Sequence, residues 1–145
     1  MSKMYLNTDG GARGNPGPAA IGVVFYDERD NLIHKFGKPI GTATNNVAEY
    51  TAIIEALKTV KKSQWLRDNR TKAEVYCRLD SQLVVEQICG RYKVKNDGLK
   101  SLYQTVLGLI SEIKAKIYFC YVSREENKIA DKLVNKALDS GKNVN

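Results

Sequence analysis

Apolar positions recur along this chain with two different periods, and each change of period marks a new element. Met4 to Asp9 reads as a short strand ending on an acid, and Gly10 to Pro18 as a glycine-rich turn. Ala19 to Tyr26 is a β-branched and aromatic run bounded by the polar turn Asp27 to Asn31, which predicts a second strand. Leu32 to Ile40 predicts a third, completing an antiparallel meander with Gly37 as a candidate bulge. Thr42 to Asn46 then offers several helix caps, after which Val47, Tyr50, Ile53, Ile54, Leu57 and Val60 recur at helical spacing to about Lys62. Glu49 falls in the first turn of this helix.

Ser63 to Lys72 reads as a polar connection holding the only tryptophan, Trp65. Ala73 to Leu79 predicts a strand that ends in Asp80, followed by a short helix over Ser81 to Ile88. A basic loop from Gly90 to Gly98 leads into a helix marked by Leu99, Leu102, Val106, Leu109 and Ile113. Ala115 to Val122 predicts the fifth strand, and Ser123 to Asn127 caps a last helix that ends near Gly141 and carries Asp131 one turn in. The order βββαβααβα implies an α/β fold: a five-stranded mixed sheet, three antiparallel strands then two parallel, flanked by helices.

Bulk properties narrow the class without naming a chemistry. At 145 residues, with 43% hydrophobic and 27% charged positions, the chain matches one globular domain spanning 1–145. Ala19 to Tyr26, the longest uncharged apolar stretch, is too short to span a bilayer, and Met1 to Lys3 has no signal-peptide core, so a cytoplasmic protein without membrane contact is expected. A net charge of +7, dispersed over the chain, points to a polyanionic partner such as nucleic acid. The three cysteines, Cys77, Cys89 and Cys120, lack zinc-site spacing; a Cys77–Cys120 link is conceivable only if their strands are neighbours. No apolar helix face is left over, which favours a monomer.

The candidate chemistry lies in the acids. Asp9 taken alone is equally a turn former and a working carboxylate. In the predicted sheet the strands ending at Asp9 and Asp80 are neighbours, and Glu49 and Asp131 could project onto the same edge. Four clustered carboxylates would hold protons unless a cation were bound, and oxygen-only ligands select magnesium or manganese. Two such ions about 3.5–4 Å apart support phosphodiester hydrolysis. His34, the only histidine, lies mid-strand, so no Ser/His/Asp set can be assembled, and Gly10 to Gly17 lacks the ending of an NTPase phosphate loop.

The stretches TDGGARGNPGPAAIG, TNNVAEYTAIIEAL, DSQLVVEQI, YKVKNDGL and SREENKIADKLVNKAL, in this order, closely resemble the type 1 ribonuclease H family from residue 4 to about 139. The resemblance maps that family's metal-binding acids onto Asp9, Glu49, Asp80 and Asp131. It implies hydrolysis of the RNA strand of RNA/DNA hybrids with two Mg2+ ions, or Mn2+ in their place, leaving 5′-phosphate products. It further implies that Asn15, Asn46 and Gln82 contact bases and 2′-hydroxyls, that Thr44, Asn45 and Asn96 hold the DNA strand, and that backbone amides of the Gly10 to Gly14 turn, those of Gly10 and Gly11 among them, sit against RNA ribose and phosphate.

Two departures from the family pattern stand out. Many members carry a histidine in the loop before the last helix; Tyr121 stands there in this chain, and Arg124 or Glu125 is a candidate to take over part of its work. The loop from Arg91 to Asp97 is too short for the basic protrusion of some bacterial members, leaving Lys93, Lys95 and the general positive field to hold substrate. The missing histidine keeps open a rival reading, a hybrid or duplex-RNA binding module with little catalysis. Activity extending to double-stranded RNA also stays open.

Overall fold

In the computed structural model, which describes residues 2–145, the first apolar run becomes the centre of the sheet. Strand β1 (Lys3–Ala12) pairs antiparallel with β2 (Gly17–Tyr26), which pairs antiparallel with β3 (Leu32–Ala43). The chain then forms helices α1 (Asn45–Lys62) and α2 (Gln64–Asn69), strand β4 (Glu74–Leu79), and helices α3 (Gln82–Ile88) and α4 (Asp97–Glu112). Strand β5 (Lys116–Tyr121), a 3-10 turn (Arg124–Asn127) and helix α5 (Lys128–Ser140) complete it. The order across the sheet is β3-β2-β1-β4-β5, with β4 parallel to both β1 and β5. This is the expected five-stranded mixed sheet.

Two cores sandwich the sheet. On one face Leu6, Val23, Val75 and Leu79 pack against Ile53, Leu57 and Val60 of α1, Val84 of α3 and Val106 of α4, all but inaccessible to water. Each such side chain contributes about 1.5–3 kcal/mol on burial. On the other face α5 lays Ala130, Leu133, Val134 and Ala137 over Ala20 and Val24.

Glycine lets α5 lie this close. A Cβ on Gly22 would stand 2.2 Å from the Ala130 carbonyl oxygen, and one on Gly37 would stand 2.6 Å from that of Leu133. Gly37 is therefore a seat for the helix and pairs directly with Gly22, so it is not the expected bulge. The register shifts fall instead between Ala19 and Ala20 and between Phe25 and Tyr26. Beyond α5 the chain returns to the outer edge of β3, where Val144 and Gly37 exchange backbone hydrogen bonds of 2.8 and 2.9 Å.

Other elements also correct the sequence expectation. β1 runs past Asp9 to Ala12, because Gly10, Gly11 and Ala12 pair with Ile21, Ala20 and Ala19; only residues 13–16 form the turn. Cross-strand pairing overrides the turn preference of the two glycines. Helix α2 occupies the supposed polar connection, capped by Ser63, and its short polar sequence carries no helical period. Trp65 on α2 packs partly buried against the main core. Cys77, Cys89 and Cys120 are all free thiols; Cys77 is buried while Cys120 is exposed, so the conceivable link does not form.

Candidate active site

Each acid arrives on a different element. Asp9 lies in β1 opposite Gly22, and Asp80 follows directly on β4, whose parallel register sets Leu79 beside Thr8. Glu49 comes from α1. Thr44 caps that helix by accepting the Val47 amide at 3.2 Å, so the helix begins at Asn45 and Glu49 opens its second turn, not its first. Asp131 sits in the first turn of α5.

Close backbone contact between β1 and α1 brings Glu49 to Asp9. A Cβ on Gly10 would stand 2.2 Å from the Ala48 carbonyl carbon, so only glycine allows this approach. The Gly10 amide then donates to Asp9 Oδ1 at 3.0 Å and to Glu49 Oε1 at 3.3 Å. Two further bonds pin the start of α1. Asn45 Oδ1 accepts the Ala12 amide, and the Asn45 amide donates to Asn15 Oδ1, both at 2.9 Å.

Carboxylate oxygens of Asp9, Glu49 and Asp80 all lie within 4.8 Å of one another. Asp9 and Glu49 are each only 8% exposed. Burial, then the neighbouring Asp80 charge, pushes Asp9 up to about 7. Glu49 is held well above the usual carboxylate range by burial and by Asp9. Asp80 is also raised by burial, against the hydrogen bond from Asn127 and the positive charge of Arg124. Glu49 Oε2 is buried with no hydrogen-bond partner among the described residues. An orphaned buried carboxylate oxygen in an all-oxygen donor set fits a hard divalent cation such as Mg2+ or Mn2+.

Asp131 stands apart from this trio. It is exposed and lines the same cavity of about 490 Å³, near enough for its charge to raise Asp9 and Asp80, but its carboxyl is outside the 4.8 Å set. Three of the four expected acids therefore converge, with the fourth on the cavity wall.

The remaining expected residues divide. Gly10, Gly11, Asn45, Asn46 and Arg124 line the cavity. Asn15, Thr44, Gln82, Lys93 and Asn96 are outside its lining. Thr44 and Asn96 are occupied as caps of α1 and α4, Asn15 holds the Asn45 amide, and Gln82 and Lys93 are exposed. Glu125 turns from the cavity to Lys128 at 2.9 Å. Tyr121, 53% exposed at the end of β5, is not among the lining residues either.

Sequence reasoning missed several residues at the site. Asn127, 1% exposed, donates to the Thr8 carbonyl at 2.9 Å, and its amide is near enough to Asp80 to favour that carboxylate. Its only signal in the sequence is its place after the Ser123–Glu126 capping box. Arg13, Ser81 and Asn135 also line the cavity.

A sheet in this order, with carboxylates gathered where β4 ends beside the central strand β1, defines a reverse transcriptase-like domain, and the profile of that family matches residues 7–137. Ribonuclease H of Coxiella burnetii is 31% identical over 149 residues, covering 94% of this chain and 90% of that protein. LC11-RNase H1, isolated from compost by a metagenomic approach, superimposes with a TM-score of 0.90 at 45% identity, over 97% of this chain and 99% of the other. The chain belongs to the type 1 ribonuclease H family. The compost protein has also been solved in complex with an RNA/DNA hybrid, a structure that matches with a TM-score of 0.88 at 44% identity over 95% of this chain and 98% of that one. Bifunctional protein Rv2228c of Mycobacterium tuberculosis is 41% identical over 139 residues, covering 95% of this chain; the chain spans 36% of the length of that relative.

Proposed function

We propose that this chain is a metal-dependent endoribonuclease that hydrolyses the RNA strand of RNA/DNA hybrids. The observation that carries the reading is the set of three carboxylates within 4.8 Å, one of whose oxygens is buried without a partner among the described residues. A pure binding module has no reason to carry the cost of this desolvated negative cluster. The hybrid-bound structure of LC11-RNase H1 supports the substrate class.

Asp9, Glu49 and Asp80 would hold Mg2+, or Mn2+ in its place, with Asp131 completing the set from the cavity wall. Two bound ions supply the charge that activates a water and stabilises the departing oxygen. The Gly10 amide keeps Asp9 and Glu49 turned toward each other. Arg124 places a positive charge beside Asp80, where a phosphate would enter. At the rim Asn46 offers an amide suited to the 2′-hydroxyl that separates RNA from DNA, and Asn45 stands beside it for the DNA strand. In the reaction, water adds hydroxide to phosphorus, the P–O3′ bond breaks, and the proton ends on the 3′ oxygen, leaving a 5′-phosphate. One chain supplies every carboxylate, which supports action as a monomer. Among the described residues no helix is long and apolar enough to cross a membrane.

The test uses end-labelled RNA/DNA, RNA/RNA and DNA/DNA duplexes with Mg2+, with Mn2+ and with chelator, beside Asp80→Asn. Metal-dependent cutting of the RNA strand of the hybrid, lost in the variant, is the expected result. Binding without cutting in either metal would return the chain to the class of binding modules. Cutting of RNA/RNA would widen the substrate range.

A further inference from the structure

A line of polar side chains runs from the turn between β2 and β3 to the back of Asp80, and the proposed mechanism uses only its last member. Arg78 on β4, with its side chain 23% exposed, lies over the rings of Tyr5 and Tyr26 at 4.9 and 5.1 Å. Its Nε donates to Asn7 Oδ1 at 2.7 Å, and a terminal nitrogen donates to Asp30 Oδ1 at 2.9 Å. Asn7, itself buried, donates its amide nitrogen to Asn127 Oδ1 at 3.1 Å and to the Glu126 carbonyl at 3.2 Å. Asn127 in turn donates to the Thr8 carbonyl at 2.9 Å, and its side-chain amide is near enough to the Asp80 carboxyl to favour the charged form.

Donor chemistry gives this line a direction. A side-chain amide can present either its oxygen or its nitrogen, whereas a guanidinium can only donate. Arg78 therefore obliges Asn7 to face it with oxygen, which turns the Asn7 nitrogen toward Asn127. Asn127 must answer with its own oxygen, leaving its nitrogen for Thr8 and Asp80. Reversing Asn7 would set its oxygen against Asn127 Oδ1 and the Glu126 carbonyl, and reversing Asn127 would set oxygen against the Thr8 carbonyl and turn an acceptor toward Asp80.

We propose that Arg78 is a positioning residue that fixes, through the amides of Asn7 and Asn127, the orientation of Asp80 as a cation ligand. This rests on the reading of Asp9, Glu49 and Asp80 as a metal site. Arg78 lines no part of the active cavity and acts only through its neighbours. Partners of this kind behind metal ligands typically carry roughly 10- to 100-fold in affinity or rate.

Three variants separate positioning from folding. Arg78→Met keeps an unbranched chain between the tyrosine rings without a donor, Arg78→Lys keeps a donor, and Asp30→Ala removes the outer anchor while leaving the Asn7 bond. Each is measured for kcat and KM on hybrid at saturating Mg2+, and for the Mg2+ concentration giving half-maximal thermal stabilisation. Expected for Arg78→Met is a fall in kcat and a rise in the Mg2+ midpoint, each roughly 10- to 100-fold, with KM within about twofold. Arg78→Lys should recover most of both, and Asp30→Ala should stay within about twofold of wild type. An Arg78→Met chain with unchanged kcat and midpoint overturns the proposal, as does an Asp30→Ala chain equally impaired. Should Arg78→Met fail to fold, the Asn127 side-chain amide of the wild-type chain is followed by nitrogen-15 NMR. Protection from exchange and a shift on adding Mg2+ support the relay, and rapid exchange with no shift overturns it. A wild-type chain that neither cuts hybrid nor binds Mg2+ overturns the functional reading and this inference together; a competent wild type beside an unaffected Arg78→Met overturns this inference alone.

Discussion

Gly10 and Ala48 meet backbone to backbone: a Cβ on Gly10 would fall 2.2 Å from the Ala48 carbonyl carbon. Gly10→Ala must therefore push α1 away from β1. The expected cost is about 1–3 kcal/mol or more, in the range of an overpacked core. Glu49 moves with the helix, so the Mg2+ requirement should rise as well. Denaturant unfolding and Mg2+ titration check both. A Gly10→Ala chain as stable as wild type would mean that the glycine serves only as open surface.

Asp9→Asn should remove activity while stabilising the metal-free fold. The carboxylate is buried beside two others, so the neutral amide relieves a repulsion the folded chain bears without a cation. A gain of about 0.5–2 kcal/mol in chelator is expected, the usual size of a single stabilising substitution. Thermal melts in chelator and cleavage assays in Mg2+ give the two readouts. Loss of stability in chelator would contradict the desolvated-cluster account.

The pH dependence has a definite sign. Asp9 titrates near 3.8 when unfolded and at about 7 when folded, raised first by burial. Between these values the folded chain holds a proton that the unfolded chain has released. The contribution to stability is therefore full below the lower value and is lost as pH rises through the upper one. Glu49 and Asp80 are raised in the same direction. Stability in chelator, followed by the melting temperature, should fall from pH 5 to pH 8, by at most about 1.4 kcal/mol per pH unit for each titrating group. Mg2+ should flatten the fall, because the cation takes the place of the proton. A profile identical with and without Mg2+ would exclude cation binding by these acids.

Arg124 and Glu125 are neighbours in sequence with opposite placements. Arg124 lines the cavity beside Asp80, whereas Glu125 faces Lys128. Arg124→Ala should slow turnover at least about tenfold, about 1.4 kcal/mol of transition-state stabilisation, and Glu125→Ala should leave it unchanged. Single-turnover rates on one hybrid substrate check the pair. Equal effects would remove Arg124 from the mechanism.

What could be read from the sequence was whatever alternation and punctuation encode. The apolar runs ending at Asp9 and Asp80 yielded two neighbouring strands and their acids, and helical spacing after Thr44 yielded the element that carries Glu49. The glycines were less legible, because a residue without a side chain looks the same whether it turns the chain or lets a helix settle on it. Gly10 and Gly37 proved to be contact surfaces for α1 and α5. Asn7 and Arg78 look like polar positions on a half-solvated strand; only the fold shows Asn7 buried and bonded to Arg78 and Asn127. The separation of Asp131 from the other three acids depends on how α5 crosses the sheet, which no local pattern carries.

The seating of α5 on Gly22 and Gly37 also governs when the site comes into being. Asp9, Glu49 and Asp80 all lie within the first 80 residues, but Asp131 arrives from the opposite layer with α5. A polypeptide leaving the ribosome amino end first thus presents an incomplete set of acids until α5 docks. The full set of four acids therefore belongs only to the chain with α5 docked.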